Sequence, residues 1–274
     1  MADNTPGAFP YTYLTLSGDR LEAVPGGVVD ELLLSIYVNA QELATLMCSP
    51  LDQEALALGF LFNEGVIRSL AEIRLIRPNA SRTAVDIFLN RDRFDPPRRM
   101  ILTSGCSGGV TFQDLQRTHP PLQTDRTTTP EVIFELMRAM KSAAHLYNRV
   151  RGVHTAILGD ESGLLLVAED VGRHNTIDKI AGKALQAGIE TRDRILVTSG
   201  RISSEMLNKA RMMGVPLVAS HTSPTSMTVR LAQAWQICVI GYVRQNSMRI
   251  YTHPQRLALP PISEGNDLPP EAED

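Results

Sequence analysis

Apolar and polar positions along the chain change period several times, and each change predicts an element. Tyr11 to Leu16 and Glu31 to Val38 read as strands, and Glu42 to Met47 as a third. Ser49-Pro50-Leu51-Asp52-Gln53-Glu54 carries the marks of a helix start: serine for the N-cap, proline for the first turn, acids for the positive end of the dipole. That helix places Leu56, Phe60 and Leu61 on one side and ends near Gly65, with further strands around 72–77 and 83–89. The polar stretches Asn90 to Arg99 and Arg117 to Pro130 read as linkers around a glycine-rich Thr103-Ser104-Gly105-Cys106-Ser107-Gly108-Gly109.

From Thr129-Pro130-Glu131 a helix is expected to run to about Asn148, with Val132, Ile133, Leu136, Met137 and Met140 as its apolar stripe. Val153–Leu158 and Leu164–Ala168 suggest a hairpin. Helices near 174–187, 202–213 and 225–235 then alternate with strands at 194–198, 215–220, 237–242 and 248–252. Alternation of this kind favours a largely parallel sheet covered on both faces. The expected fold class is α/β: a mixed sheet covered by helices, with a smaller N-terminal α/β part. The boundaries are a loose N-terminus at 1–10, an N-terminal part at 11–125, a C-terminal part at 126–258 and a disordered, acidic, proline-rich tail at 259–274.

Composition narrows the function. The 274 residues are 43% apolar and 21% charged with a net charge of −3, which gives no basis for a sequence-independent grip on nucleic acid. No stretch reaches the roughly 20 apolar residues of a membrane span. The start MADNTPGAFP lacks the basic and apolar regions of a signal peptide, so a cytoplasmic location is expected. Three cysteines, far apart in sequence, rule against a disulfide scaffold or a paired-cysteine zinc site.

Cys106 is the sharpest single feature. Glycines and serines around it free the backbone, and an exposed thiol with a lowered pKa would be a nucleophile. The competing reading is a small residue in a flexible loop. Cys48 and Cys238 lie in apolar runs and read as core residues. The densest polar block, Glu169 to Lys179, follows a strand and opens a helix, where Arg173, His174 and Asn175 could hold phosphate. An ordinary capped helix with a charged outer face is the alternative.

Thr198-Ser199-Gly200-Arg201, with Glu205 a turn onward, and His221 to Ser226 repeat the same junction. Three of them in one sheet suggest a shared edge for an anionic, nucleotide-like molecule. His154, alone at a strand start, reads as a core histidine. The zinc signature of nucleobase deaminases is absent, because Ala156 stands where it needs glutamate.

The stretches EDVGRHNTIDK, VTSGRISSEMLNKA, GVPLVASHTSPTS and GYVRQNSMRIYTHPQRL, with ALALGFLFNEGVI and TSGCSGG earlier, together resemble the FdhD/NarQ family of formate dehydrogenase accessory sulfurtransferases. The resemblance covers nearly the whole chain apart from its tails. It implies a cytoplasmic, homodimeric sulfur carrier. Such a carrier takes persulfide sulfur from a cysteine desulfurase and passes it to a molybdenum cofactor with two molybdopterin guanine dinucleotides, destined for formate dehydrogenase. GDP-like nucleotides would then be partial mimics of the ligand. The resemblance also implies a C-terminal half similar to the cytidine deaminase fold but without zinc. It places the persulfide cysteine on Cys106 and cofactor binding on Val243, Arg244, Gln245, Asn246, Ser247 and Met248. Contacts from Arg173, His174 and Arg201 to phosphate are an inference from residue chemistry instead. Many members carry a second loop cysteine where this chain has Gly109, which leaves a single-thiol relay or a non-catalytic cofactor chaperone as alternatives.

Overall fold

The computed structural model describes residues 5–95, 101–102, 110–111 and 119–261. The Cys106 loop and tail residues 262–274 lie outside the described residues, so the expectations for them rest on sequence alone.

The chain opens with a ribbon of β1 (Ala8–Ser17) and β2 (Arg20–Val29), paired antiparallel from Ala8↔Val29 to Ser17↔Arg20. Strand β1 thus begins inside the segment expected to be loose. β2 escaped the sequence pattern because Pro25-Gly26-Gly27 interrupts its alternation. A four-stranded sheet follows, built from β3 (Leu32–Val38), β4 (Gln41–Cys48), β5 (Ile73–Pro78) and β6 (Ala84–Leu89) in the order β4-β3-β6-β5. One of its faces carries Leu34, Ile36, Val38, Leu46, Val85, Ile87 and Leu89 against Leu56 and Leu61 of helix α1 (Gln53–Asn63).

Ser49 does not cap α1. The helix starts after Asp52, whose backbone is left-handed (φ 54°), and no side chain caps it. Ser49 is wholly buried and bonded to the C-terminal half instead. Two short strands, β7 (Ile101–Leu102) and β8 (Val110–Thr111), pair antiparallel on either side of the Cys106 loop.

The segment expected to be a linker before residue 130 is fastened down over its described part. Leu122 N donates to Trp235 O at 3.0 Å, and the Arg256 guanidinium donates to the carbonyls of Thr124 and Arg126 at 3.2 and 3.1 Å. The helix expected to reach Asn148 is two helices, α2 (Pro130–Ala143) and α3 (His145–Val150). The break has a clear cause. The Glu169 carboxylate accepts hydrogen bonds from Leu146 N and Tyr147 N, both at 2.8 Å, and so caps a new helix N-terminus.

Six strands form the main sheet: β9 (His154–Asp160), β10 (Gly163–Asp170), β11 (Ile195–Thr198), β12 (Leu217–Ser220), β13 (Cys238–Gly241) and β14 (Arg249–Ile250), in the order β10-β9-β11-β12-β13-β14. Only β11-β12-β13 pair in parallel; the β9–β10 hairpin and the short return into β14 make the rest antiparallel. The sheet is mixed, and less parallel than alternation alone suggested. Helices α4 (Arg173–Ala187), α5 (Ser204–Met212) and α6 (Ser226–Trp235) cover one face through Ile177, Ile180, Leu207 and Trp235. The stripe of α2 (Ile133, Leu136, Met137, Met140) covers the other, against Ile157, Val197, Leu217 and Ile240. The two sheets are joined by α1 packed directly on α4. No described helix is long and apolar enough to cross a membrane.

Candidate functional site

Strand directions set the site. β10 and β11 both run antiparallel to β9, and β12 and β13 run parallel to β11. The carboxyl ends of these four strands therefore share one edge with the start of β9. The three junctions singled out in the sequence, after Asp170, Thr198 and Ser220, lie along it.

What lies in the first junction differs from the expectation of a phosphate grip. Asp170 is completely buried, 2.6 Å from the equally buried Lys179 ammonium, and it accepts from Ser49 N (3.1 Å), Gly172 N (2.8 Å) and Asn175 Nδ2 (2.8 Å). Asn175 also donates to Met47 O at 2.8 Å, and Ser49 Oγ accepts from Val171 N at 3.1 Å. One turn on, Asp178 is bonded to Lys209 (2.6 Å) and to Asn63 Nδ2 (2.8 Å). The polar crowding of Glu169–Lys179 thus largely serves the seam between the two sheets. Charges buried this deeply stay only where they are paired and hydrogen-bonded.

His174 is buried as well, with Nε2 3.1 Å from Ser203 Oγ and 3.0 Å from Glu205 Oε2. Burial lowers its pKa, which Glu205 partly offsets. Arg173 is buried with its stem against Gly200, where an added Cβ would fall 2.9 Å from Arg173 Cβ. Arg201 is exposed.

Further along the edge a cavity of about 650 Å³ opens beneath α2 and α3, within the size range of small-molecule sites. His154 and Thr155 come to it from β9, Ser199 from the end of β11 and His221 from the end of β12. Val243 and Arg244 come from the turn after β13, and Lys141, Tyr147 and Arg151 from the covering helices and the residue that follows them. Three cations and two histidines line it, with no carboxylate among the described lining residues. Arg244 is aimed by a bond from its Nη1 to His221 O at 2.7 Å. Arg151 lies over the Tyr147 ring at 4.8 Å, on a backbone (φ 59°, ψ −161°) that side-chain-bearing residues rarely adopt.

Both histidines have their pKa held below the ordinary imidazole value. Burial lowers the pKa of His154, and Arg173 and His174 lower it further, against a smaller opposing effect of Asp170. Its Nδ1 lies 3.3 Å from Ser199 Oγ, which accepts from Thr155 N at 2.9 Å. Burial also lowers the pKa of His221, followed by the charges of Arg244 and Lys141. His221 Nδ1 is enclosed without a hydrogen-bond partner among the described residues.

Of the residues expected to bind a ligand, Val243 and Arg244 line this cavity. Gln245, Asn246 and Ser247 form an exposed turn beside it, closed by Arg244 N to Ser247 O at 2.8 Å, and the half-buried Met248 packs against the core. Arg173, His174 and Arg201 do not line the cavity. His154, read from sequence as a core histidine, is half-buried and lines this cavity. Lys141, Tyr147 and Arg151 were missed. No local signal marks them, because on helical periodicity they are indistinguishable from a solvated face.

Residues 29–258 match the model of the FdhD/NarQ family. Sulfur carrier proteins FdhD from two Staphylococcus aureus strains, MRSA252 and Newman, are 36% identical over 234 residues, spanning 84% of this chain and 88% of theirs. Among solved structures, a putative formate dehydrogenase accessory protein from Desulfotalea psychrophila superposes with a TM-score of 0.78 at 25% identity, covering 92% of this chain and all of that one. A match of this extent, in sequence and in fold, makes the chain a member of the FdhD/NarQ family.

Proposed function

We propose that this protein carries sulfur for a formate dehydrogenase, loading it on Cys106 and passing it to a pterin–dinucleotide molybdenum cofactor seated at the β11–β13 edge. The observation that carries the binding half is the cavity. It is large enough for part of a dinucleotide, its described lining is cationic without a carboxylate, and Arg244 is fixed at it with its guanidinium positioned. Such a lining favours phosphate oxygens, which guanidinium groups hold through paired hydrogen bonds. The relatives' names as sulfur carriers support the transfer half.

In loading, the Cys106 thiolate attacks the outer sulfur of a persulfide on a cysteine desulfurase. The bond between the donor's two sulfurs breaks, the donor leaves as a thiolate, and Cys106 keeps the outer sulfur as its own persulfide. Cys48 and Cys238 cannot substitute. Both are wholly buried, and burial pushes each thiol up to about 12. The same reading has the protein work as a cytoplasmic homodimer, with GDP as a partial mimic of the cofactor and no zinc in the transfer.

Incubation with a desulfurase and cysteine, followed by mass spectrometry of digests, tests the assignment. Persulfide is expected on Cys106 in the wild type, Cys48→Ser and Cys238→Ser proteins. Persulfide on a Cys106→Ser protein equal to wild type would refute it. A second reading, a cofactor chaperone that moves no sulfur, is favoured by Gly109 in place of a second loop cysteine. Complementation of a host lacking its own family member separates the two, since a pure chaperone retains formate dehydrogenase activity in the Cys106→Ser variant.

A further inference from the structure

We infer that His221 is a direct phosphate contact of this cavity and takes up a proton as the anionic ligand enters, which makes binding tighten as pH falls. The inference rests on the reading that the cavity holds a guanine dinucleotide. It goes beyond that reading by naming a residue and a protonation step.

The geometry carries the argument. His221, at the end of β12, lines the cavity together with Arg244 from the turn after β13, Lys141 from α2 and His154 from β9, and its carbonyl accepts from Arg244 Nη1 at 2.7 Å. Arg151 completes the charged groups of the lining, and every one of them is cationic or a histidine. Protonating His221 without ligand would put a further positive charge among these cations. A phosphate group placed between Arg244 and Lys141 reverses that situation. It cancels both repulsions, and its oxygens accept from the imidazolium.

His154 is a poorer candidate for the same role. Its Nδ1 already lies beside Ser199 Oγ, and Arg173 and His174, which lower its pKa, do not line the cavity, so a ligand there would neutralise them less. Thermodynamic linkage supplies the sign. A site whose pKa is low when free and higher when occupied binds best below its free pKa. Affinity then falls as pH rises through the interval between the two values, by up to about tenfold per pH unit.

The test uses the full-length protein and GDP-mannose, whose diphosphate is esterified at both ends and does not itself titrate near neutrality. Calorimetry in PIPES and in Tris at one neutral pH reads proton uptake from the difference in apparent enthalpy. Net uptake approaching one proton is expected for wild type and for the control His145→Asn, and its loss is expected in His221→Asn together with a flatter pH dependence of affinity. Binding with no buffer dependence, or uptake that survives in His221→Asn but vanishes in His154→Asn, would overturn the assignment while leaving the cavity as the nucleotide site. Failure of GDP-mannose to bind at any pH would overturn the cavity reading and this inference with it.

Discussion

Gly59 of α1 and Gly182 of α4 bring two helix backbones into direct contact across the seam between the sheets. A Cβ built on Gly59 would fall 1.7 Å from Asp178 O, and one on Gly182 would fall 1.8 Å from Ala55 O. Helices usually lie 8–10 Å apart with side chains between them. Here the missing side chains allow Asn63 and Lys209 to reach Asp178 beside the crossing. The seam, which also holds Asp170 and Lys179, buttresses the first of the three junctions along the candidate site.

The crossing predicts a sharp asymmetry among glycines. Gly182→Ala is expected to destabilise the protein by about 3 kcal/mol, the upper end of ordinary overpacking, because the obstructing atoms are backbone and cannot rotate away. Gly188→Ala faces open space and carries only the strain of a left-handed residue (φ 65°), about 1 kcal/mol. Urea denaturation of both variants checks the ranking; equal losses would show that the helices separate easily.

The Asp170–Lys179 pair should be costly to break from one side. Asp170→Asn leaves the ammonium buried without its countercharge and is expected to cost about 3–5 kcal/mol. Because Ser49 and Asn175 share the same carboxylate, the loss should loosen the seam. Hydrogen exchange at Ser49 and Gly172, the two amides that donate to Asp170, should accelerate first.

Acid should weaken the fold through its buried histidines. His154, His174 and His221 all have folded pKa values below the ordinary histidine value of 6.5. The unfolded chain therefore binds more protons than the folded one once pH drops below about 6.5. The stability contributed by keeping these rings neutral is complete above that pH and is lost as pH falls toward the folded values. Denaturation midpoints from pH 8 to 5.5 should decline at the acid end, and His174→Gln should shrink the decline. A midpoint unchanged over that range would contradict the burial of these rings.

Ligand binding should depend on cavity cations more than on the buried junction. Arg244→Ala and Lys141→Ala are each expected to weaken GDP binding by about tenfold, or ~1.4 kcal/mol. Arg201→Ala, away from the lining, should leave it unchanged. Titration calorimetry with AMP as the base control decides whether the site reads guanine.

Native-state alkylation should spare Cys48 and Cys238, whose thiols are enclosed and pushed up to about 12. Both should react only after denaturation. Modification of either in the folded protein would show that the core opens on the timescale of labelling.

Sequence alone determined most elements of the C-terminal half and the family, because periodicity and capping are local. The stripe of α2, its start at Thr129-Pro130, and the alternation of strands and helices all express themselves within a few residues. Sequence also identified the edge at which three junctions meet. Only the tertiary structure decided what each polar residue there does. Glu169 splits an expected single helix because it reaches Leu146 and Tyr147 across the fold, and Ser49 abandons an N-cap for Asp170, 121 residues away. A charged residue near a helix start has the same local signature whether it grips a ligand or closes an internal seam. The choice is made when distant elements pack, bury one carboxylate against Lys179 and leave Lys141, Arg151, His221 and Arg244 lining one cavity.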